Sequence, residues 1–342
     1  MTTHNNLLDE FLLCDEAWDM SPVSSSSYSH SQHDYALRNR DNIIHPITQH
    51  DIKHSFDTCV QKEVKYMTGL GYINLLESNG FVAECRLKAI HWFVHRQRRF
   101  NFCIGTVFSA VNNVDRFIDM NKCHGWSYWM MELLSLAALS IAVKFGETCP
   151  PTLHEIQEGL EYCFEVKLVQ KMEMKILKSL GWEVNAITPF SYVELIEWEL
   201  KQHFKPINRF RLDEILTASS LDFKLLDYRP CVIAVSAFKC ILEDEICLSH
   251  ITSFIPTDQK KKIQPCYNKM QEILVGYLKS DLNRNPSSPD TVLTKELQVP
   301  ISMEQMDLSF MDGPATKEKL KRKRVQGQHD DHCVIMNKKH VN

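Results

Sequence analysis

Residues 106–120 read TVFSAVNNVDRFIDM, residues 133–148 read LLSLAALSIAVKFGET and residues 169–184 read VQKMEMKILKSLGWEV. In the last of these, Met172, Ile176 and Leu180 recur at helical spacing and predict one inward face. The middle stretch is dense in apolar and small residues on every side, so as a helix it belongs at the centre of a bundle rather than on its surface. A run of similar composition, RPCVIAVSAFKCI at 229–241, predicts a second such hub and a weak internal repeat.

Outward from these hubs, helical periodicity begins near Asp51, with Phe56, Val60, Val64 and Met67 on one stripe, and continues to about Leu282. Cys149-Pro150-Pro151-Thr152 separates two helices and Gly181 closes one. Thr188-Pro189-Phe190 starts another, and Arg229-Pro230 opens a further one with proline in its first turn. No alternating run is long enough to require a sheet, so the predicted class is all-α. Residues 1–50 and 283–342 lack the periodicity and are rich in polar residues, which predicts disordered tails.

The chain has 342 residues, 44% of them hydrophobic, enough for a sizeable core and two domains. A formal net charge of −4 gives no overall attraction to nucleic acid or anionic lipid. The longest apolar run, Leu133–Val143, is too short to cross a bilayer, and the acidic N-terminus does not read as an export signal. The twelve cysteines contain no C-x-x-C pair, and the His329–Cys333 stretch HDDHC sits in a polar tail with nothing to hold a ligand geometry. No metal or other cofactor is expected. There is also no Gly-rich phosphate loop, H-E-x-x-H or G-x-S-x-G, so the chain does not read as an enzyme.

In order along the chain, Asn113, Asp115, Arg116 and Phe117, then Lys144 and Glu147, then Glu173 and Trp182 resemble the marks of the cyclin box. The resemblance covers about 200 residues. It implies two tandem five-helix bundles, at 51–187 and 188–282, and a partner rather than a substrate: a cyclin-dependent protein kinase. It also implies that Lys144 and Glu173, with Phe145 and Glu147, bind that kinase near its C-helix. On residue chemistry alone, Lys144 is equally a cation at a helix C-terminus and Glu173 a solvated surface acid. The resemblance makes Asp115 and Arg116 structural, and Trp182 reads as a core aromatic. The helix CRLKAIHWFVHRQRRF, from Cys85, matches the family's substrate-docking patch at Arg86 and Trp92. Cys85, Lys88 and Ala89 replace larger apolar residues there, which shrinks the patch and makes it more polar. Arg96, Arg98 and Arg99 read as a solvated helix end or, as a rival, a nucleic-acid face.

Leu12, Cys14 and Glu16 spell L-x-C-x-E, with Trp18 two positions on, so an extended chain presents all four on one face. Upstream of a cyclin box this pattern resembles the D-type cyclins of plants, and implies binding to a retinoblastoma-related pocket protein, action at the G1/S transition and contact with kinase inhibitor proteins. Lys319, Lys321, Arg322, Lys323 and Arg324 resemble a nuclear localisation signal and equally a solubilising charge run; the expected location is the nucleus, with a cytoplasmic pool. The rival reading is a cyclin-fold transcription factor that binds DNA or the transcription machinery. Against it stand the missing zinc ribbon and the absence of net positive charge.

Overall fold

A computed structural model describes residues 48–203, 207–242, 245–282 and 298–301. Most of the expected tails, with the L-x-C-x-E residues, the basic cluster and the HDDHC stretch, lie outside these, but residues 49–50 begin a helix and residues 299–301, expected to be disordered, form a strand. In chain order the helices are α1 (Gln49–Glu63), α2 (Gly71–Ser78), α3 (Gly80–Phe100), α4 (Ile104–Asn121), α5 (Tyr128–Gly146), the one-turn α6 (Leu153–Ile156) and α7 (Val166–Ser179). They continue as α8 (Val193–His203), α9 (Arg209–Leu221), α10 (Pro230–Ile241), α11 (Glu245–Ser253) and α12 (Thr257–Leu282).

Local chemistry accounts for many boundaries. Thr48 caps α1 by accepting the Asp51 N–H, while the Asp51 carboxylate accepts the Thr48 N–H at 2.9 Å. Thr152 and Glu155 repeat that exchange at α6, directly after Pro150-Pro151. Asn79 caps α3, which ends at Asn101 in the left-handed region, and Pro230 is the first residue of α10. Helix α1 stops at Glu63, and Val64–Tyr66 form a 3-10 turn, so Val64 is exposed rather than continuing the inward stripe.

Two hydrophobic cores form. In the first, every residue of α5 from Met131 to Val143 is buried, with α3, α4 and α7 packed around it. By length and composition α5 is able to span a membrane, unlike the shorter run within it; here its apolar surface is covered by other helices. In the second, Pro230–Phe238 of α10 are buried under α9, α12 and the 3-10 turn Pro189–Tyr192. Helix α1 departs from the expected division at residue 187, because Phe56 and Val60 join the second core; the Phe56 ring lies 4.9 Å from that of Tyr192. The sequence also gave no sign of a small parallel sheet, in which β1 (Tyr162–Phe164) pairs with β2 (Val299–Ile301). Three-residue strands are too short for alternation to be legible.

Two buried carboxylates tie these layers together. Glu63, fully buried, accepts from the Tyr192 hydroxyl at 2.6 Å and the Cys231 N–H at 2.9 Å, and pairs with Arg229 at 2.7 Å. It therefore fixes the end of α1 against the N-terminus of α10, where a negative charge is favoured. Burial, and then the Glu63 charge, hold the Tyr192 hydroxyl well above its ordinary value, so it stays a donor. In the first core Asp115 on α4 takes a two-pronged pair from Arg86 on α3, at 2.7 and 2.9 Å, with both side chains 3% exposed. Tyr72 donates to the same carboxylate at 2.7 Å, and Arg86 reaches the Ser220 carbonyl at 3.0 Å, linking α3 to the end of α9.

Removing one member of a buried pair strands its partner, so Asp115→Ala and Glu63→Ala should each cost about 3–5 kcal/mol of unfolding free energy. Lys144→Ala, at a half-exposed pair, should cost less than about 1 kcal/mol. Urea unfolding followed by circular dichroism checks this ranking.

A candidate docking surface at the end of the hub helix

The helix apolar on all sides has to leave the core somewhere, and α5 does so at Lys144, the first exposed residue after Val143. Lys144 Nζ lies 2.6 and 2.8 Å from the two carboxylate oxygens of Glu173, midway along α7. Lys144 is 54% exposed and Glu173 only 12%, so the acid anchors the lysine at a rim. Met172 and Ile176, on either side of Glu173 in the α7 sequence, are fully buried and set the direction in which the glutamate points.

The next residue, Phe145, is 59% exposed, and the chain turns immediately after it. Gly146 lets that turn sit against α4, since a Cβ there would meet the Thr106 hydroxyl at 2.9 Å. Any side chain at 146 requires the Thr106 hydroxyl to shift. Glu147 then points inward: its carboxylate accepts the Cys103 N–H at 2.9 Å and the Thr106 hydroxyl, and thereby caps the start of α4. Of the four residues grouped by sequence, Lys144 and Glu173 meet directly and Phe145 stands beside Lys144 in the chain. Glu147 is spent on joining α5 to α4.

Two depressions flank this rim. One, of about 190 Å³, is lined by Lys144, Glu173, Pro150, Leu153 and Val166. The other, of about 150 Å³, is lined by Phe145, Gly146, Ile141, Val184 and Asn113. Asn113 is fully buried, and neither its amide nitrogen nor its oxygen has a hydrogen-bond partner.

Trp182 is not the core aromatic the sequence suggested, for it is 60% exposed. Gly181 has φ +62°, and the Trp182 N–H reaches back to the Leu177 carbonyl at 2.8 Å, closing α7 with a left-handed turn. Trp182 itself has φ +65°, so the ring leaves the inward stripe of Met172, Ile176 and Leu180. The glycine before the tryptophan was the available signal. Arg116 does serve the interior: its guanidinium donates to the Glu183 carbonyl at 2.7 Å and lies over the Tyr66 ring at 5.3 Å.

The two α3 residues expected to form a docking patch, Arg86 and Trp92, are separated. Arg86 faces Asp115 inside the core and does not line the cleft of about 230 Å³ in which Trp92 sits with Cys85, Lys88, Tyr128, Glu132 and Leu160. Arginine is drawn inward because the Asp115 carboxylate and the Ser220 carbonyl together satisfy its planar fork. Trp92 is half-buried, its indole N–H donating to the Glu158 carbonyl at 3.3 Å. Burial raises the Glu132 carboxyl above its usual range, opposed by the N–H groups of Glu161 and Tyr162, each 3.1 Å away. Arg96 is likewise turned inward rather than solvated, and it lies beside the Glu158 carboxylate that Arg99 holds at 2.6 Å. Among the described residues no group of three or more His, Cys, Asp or Glu side chains could hold a metal ion.

Residues 54–185 match the family described as cyclin, N-terminal domain. Cyclin-D1-1 of Arabidopsis thaliana is 25% identical over 278 residues, covering 78% of this chain and 80% of that one. Cyclin-D3-3 of the same plant is 29% identical over 266 residues, 72% of each chain. Among solved structures, a viral cyclin from herpesvirus saimiri aligns at 14% identity with a TM-score of 0.49, over 65% of this chain and 99% of its own. Cyclin-D2-2 of Oryza sativa subsp. japonica is 30% identical over 247 residues, 68% of each chain, and with the box motifs in order and two helix-wrapped hubs, the chain belongs to the plant D-type cyclin family.

Proposed function

We propose that this cyclin is the non-catalytic regulatory subunit of a cyclin-dependent serine/threonine kinase, and that it directs the kinase to a retinoblastoma-related protein at the G1/S transition. The observation that carries the kinase reading is the anchored Lys144–Glu173 pair, set between two depressions and accompanied by exposed Phe145. Exposed aromatics on a rigid frame are the groups that dominate interface energies.

The proposed mechanism is a population shift. An idle kinase has its C-helix swung out, which separates the lysine–glutamate pair that orients the nucleotide. A surface that accepts only the inward helix draws the kinase into that state. Moving such an equilibrium from 1:99 to 99:1 requires about 5.5 kcal/mol of differential binding. Three aromatic or charged anchors at about 2 kcal/mol each reach that figure. Glu147 contributes by holding the α5–α4 junction, so its role is to position Lys144 and Phe145.

Leu12, Cys14, Glu16 and Trp18 would recruit the pocket protein as an extended peptide. Tethering raises the substrate's local concentration at the kinase into the range of about 1 mM. Kinase inhibitor proteins are expected to recognise the same composite surface, and the basic residues 319–324 to direct the assembly to the nucleus, leaving a cytoplasmic pool.

With a co-purified cyclin-dependent kinase, Phe145→Ala should weaken association about 30-fold while leaving the unfolding midpoint within a degree or two. Glu173→Ala should lower kinase activation in the same assay, and unchanged activation in both variants would remove this surface from the interface. Separately, Cys14→Ala with Glu16→Ala should abolish capture of a retinoblastoma-related protein and leave kinase binding intact; retained capture would exclude the N-terminal motif.

A further inference from the structure

The last described helix, α12, packs on the second core through Ile263, Cys266, Met270 and Leu274, yet Ile301 belongs to the first. Strand β2 pairs with β1 in parallel, with Tyr162 opposite Val299, Cys163 opposite Pro300 and Phe164 opposite Ile301. The Val299 N–H donates to the Glu161 carbonyl at 2.9 Å, and the Glu165 N–H donates to the Ile301 carbonyl at 3.1 Å. The Gln298 side-chain amide donates to the carbonyls of Gln157 and Leu160, both at 3.0 Å. Ile301 is 3% exposed within the first core, whereas Val299 and Pro300 face outward.

Each of these residues answers a specific demand. Ile301 fills an apolar socket. Gln298 has the reach and the two donors to bridge two carbonyls of the turn after α6. Pro300 has no N–H, and at an outward, unpaired position of an edge strand none is needed; it also prevents a further strand from adding there.

We propose that the β1 edge and the Ile301 socket form a binding site for a short extended peptide, whose resident ligand is the chain's own Gln298–Ile301, held in cis and exchangeable. Four residues with one buried side chain make a weak contact on their own. Covalent attachment to the same chain offsets this, because the segment does not have to be captured from solution. The 157–165 segment is thus gripped from two directions, by β2 and by the Glu132 carboxylate through Glu161 and Tyr162. Its Gly159 and Leu160 form part of the Trp92 cleft, so release of β2 loosens one rim of that cleft. The strand pairing, the Ile301 socket and the Gln298 bonds do not depend on the kinase reading.

The test uses the full chain, the full chain with Ile301→Asp, and a labelled peptide of residues 295–302, Lys-Glu-Leu-Gln-Val-Pro-Ile-Ser. Fluorescence polarisation should show the peptide binding the variant at least about ten-fold more tightly than the intact chain, whose site is already filled. Hydrogen exchange at the Glu165 amide should quicken in the variant and slow again when peptide is added. Equal affinity for both proteins, no binding to the variant, or unchanged Glu165 exchange would each overturn the proposal, as would an intact chain that is dimeric by light scattering through exchanged tails. Should Ile301→Asp lose its helical circular dichroism, Gln298→Ala, which removes only the two side-chain hydrogen bonds, is expected to shift both readouts in the same direction.

Discussion

A helix with no polar face has to be enclosed on every side, and α5 imposes that requirement on the first half of the molecule. Thirteen successive residues from Met131 to Val143 are buried, and the small ones among them, Ser135, Ala137, Ala138, Ser140 and Ala142, let α3, α4 and α7 approach closely. The same enclosure fixes where the interior stops. Lys144 emerges at a position defined by the packing of three other helices, with its charge at the end of the helix where the backbone dipole favours a cation. The proposed partner surface is therefore the terminus of the core itself rather than an addition to it.

Apolar packing alone leaves such helices free to slide, since one aliphatic ridge resembles the next. The buried ionic ties remove that freedom. Arg86 with Asp115 sets α3 against α4 and, through Ser220, against α9; Glu63 with Tyr192, Cys231 and Arg229 sets α1 against α10. Both carboxylates have several donors around them, which is the condition under which a buried charge is tolerated.

Much of this was readable from residue order. The hub helices, the proline and threonine punctuation, and the inward stripe of α7 all depend on local pattern, and local pattern is what a sequence displays. What was not readable depended on direction in space. Arg86 and Trp92 lie six positions apart on α3, so the helix points them to different neighbours, one into the core and one to a cleft. Trp182 looked like core because it follows an inward stripe, but the left-handed residue before it reverses the chain. Glu147 sits two residues beyond Phe145, and only the approach of α4, allowed by Gly146, turns it inward. The assignment of α1 to the second core and the return of β2 to the first are long-range pairings, with no counterpart in local periodicity.

The Lys144–Glu173 pair is already closed in the isolated chain, with one ammonium on both carboxylate oxygens. Two opposite charges at that separation look like a small dipole from a distance, and its field fades within a few ångströms of water and salt. Whatever docks at this rim is therefore not drawn in from afar by it. By itself the closed pair contributes little to long-range steering, and little of the salt dependence of an encounter arises from it. Discrimination falls instead to the lifetime of the complex, decided after contact by how well the visitor's hydrogen-bonding groups match a lysine and a glutamate that are already satisfied.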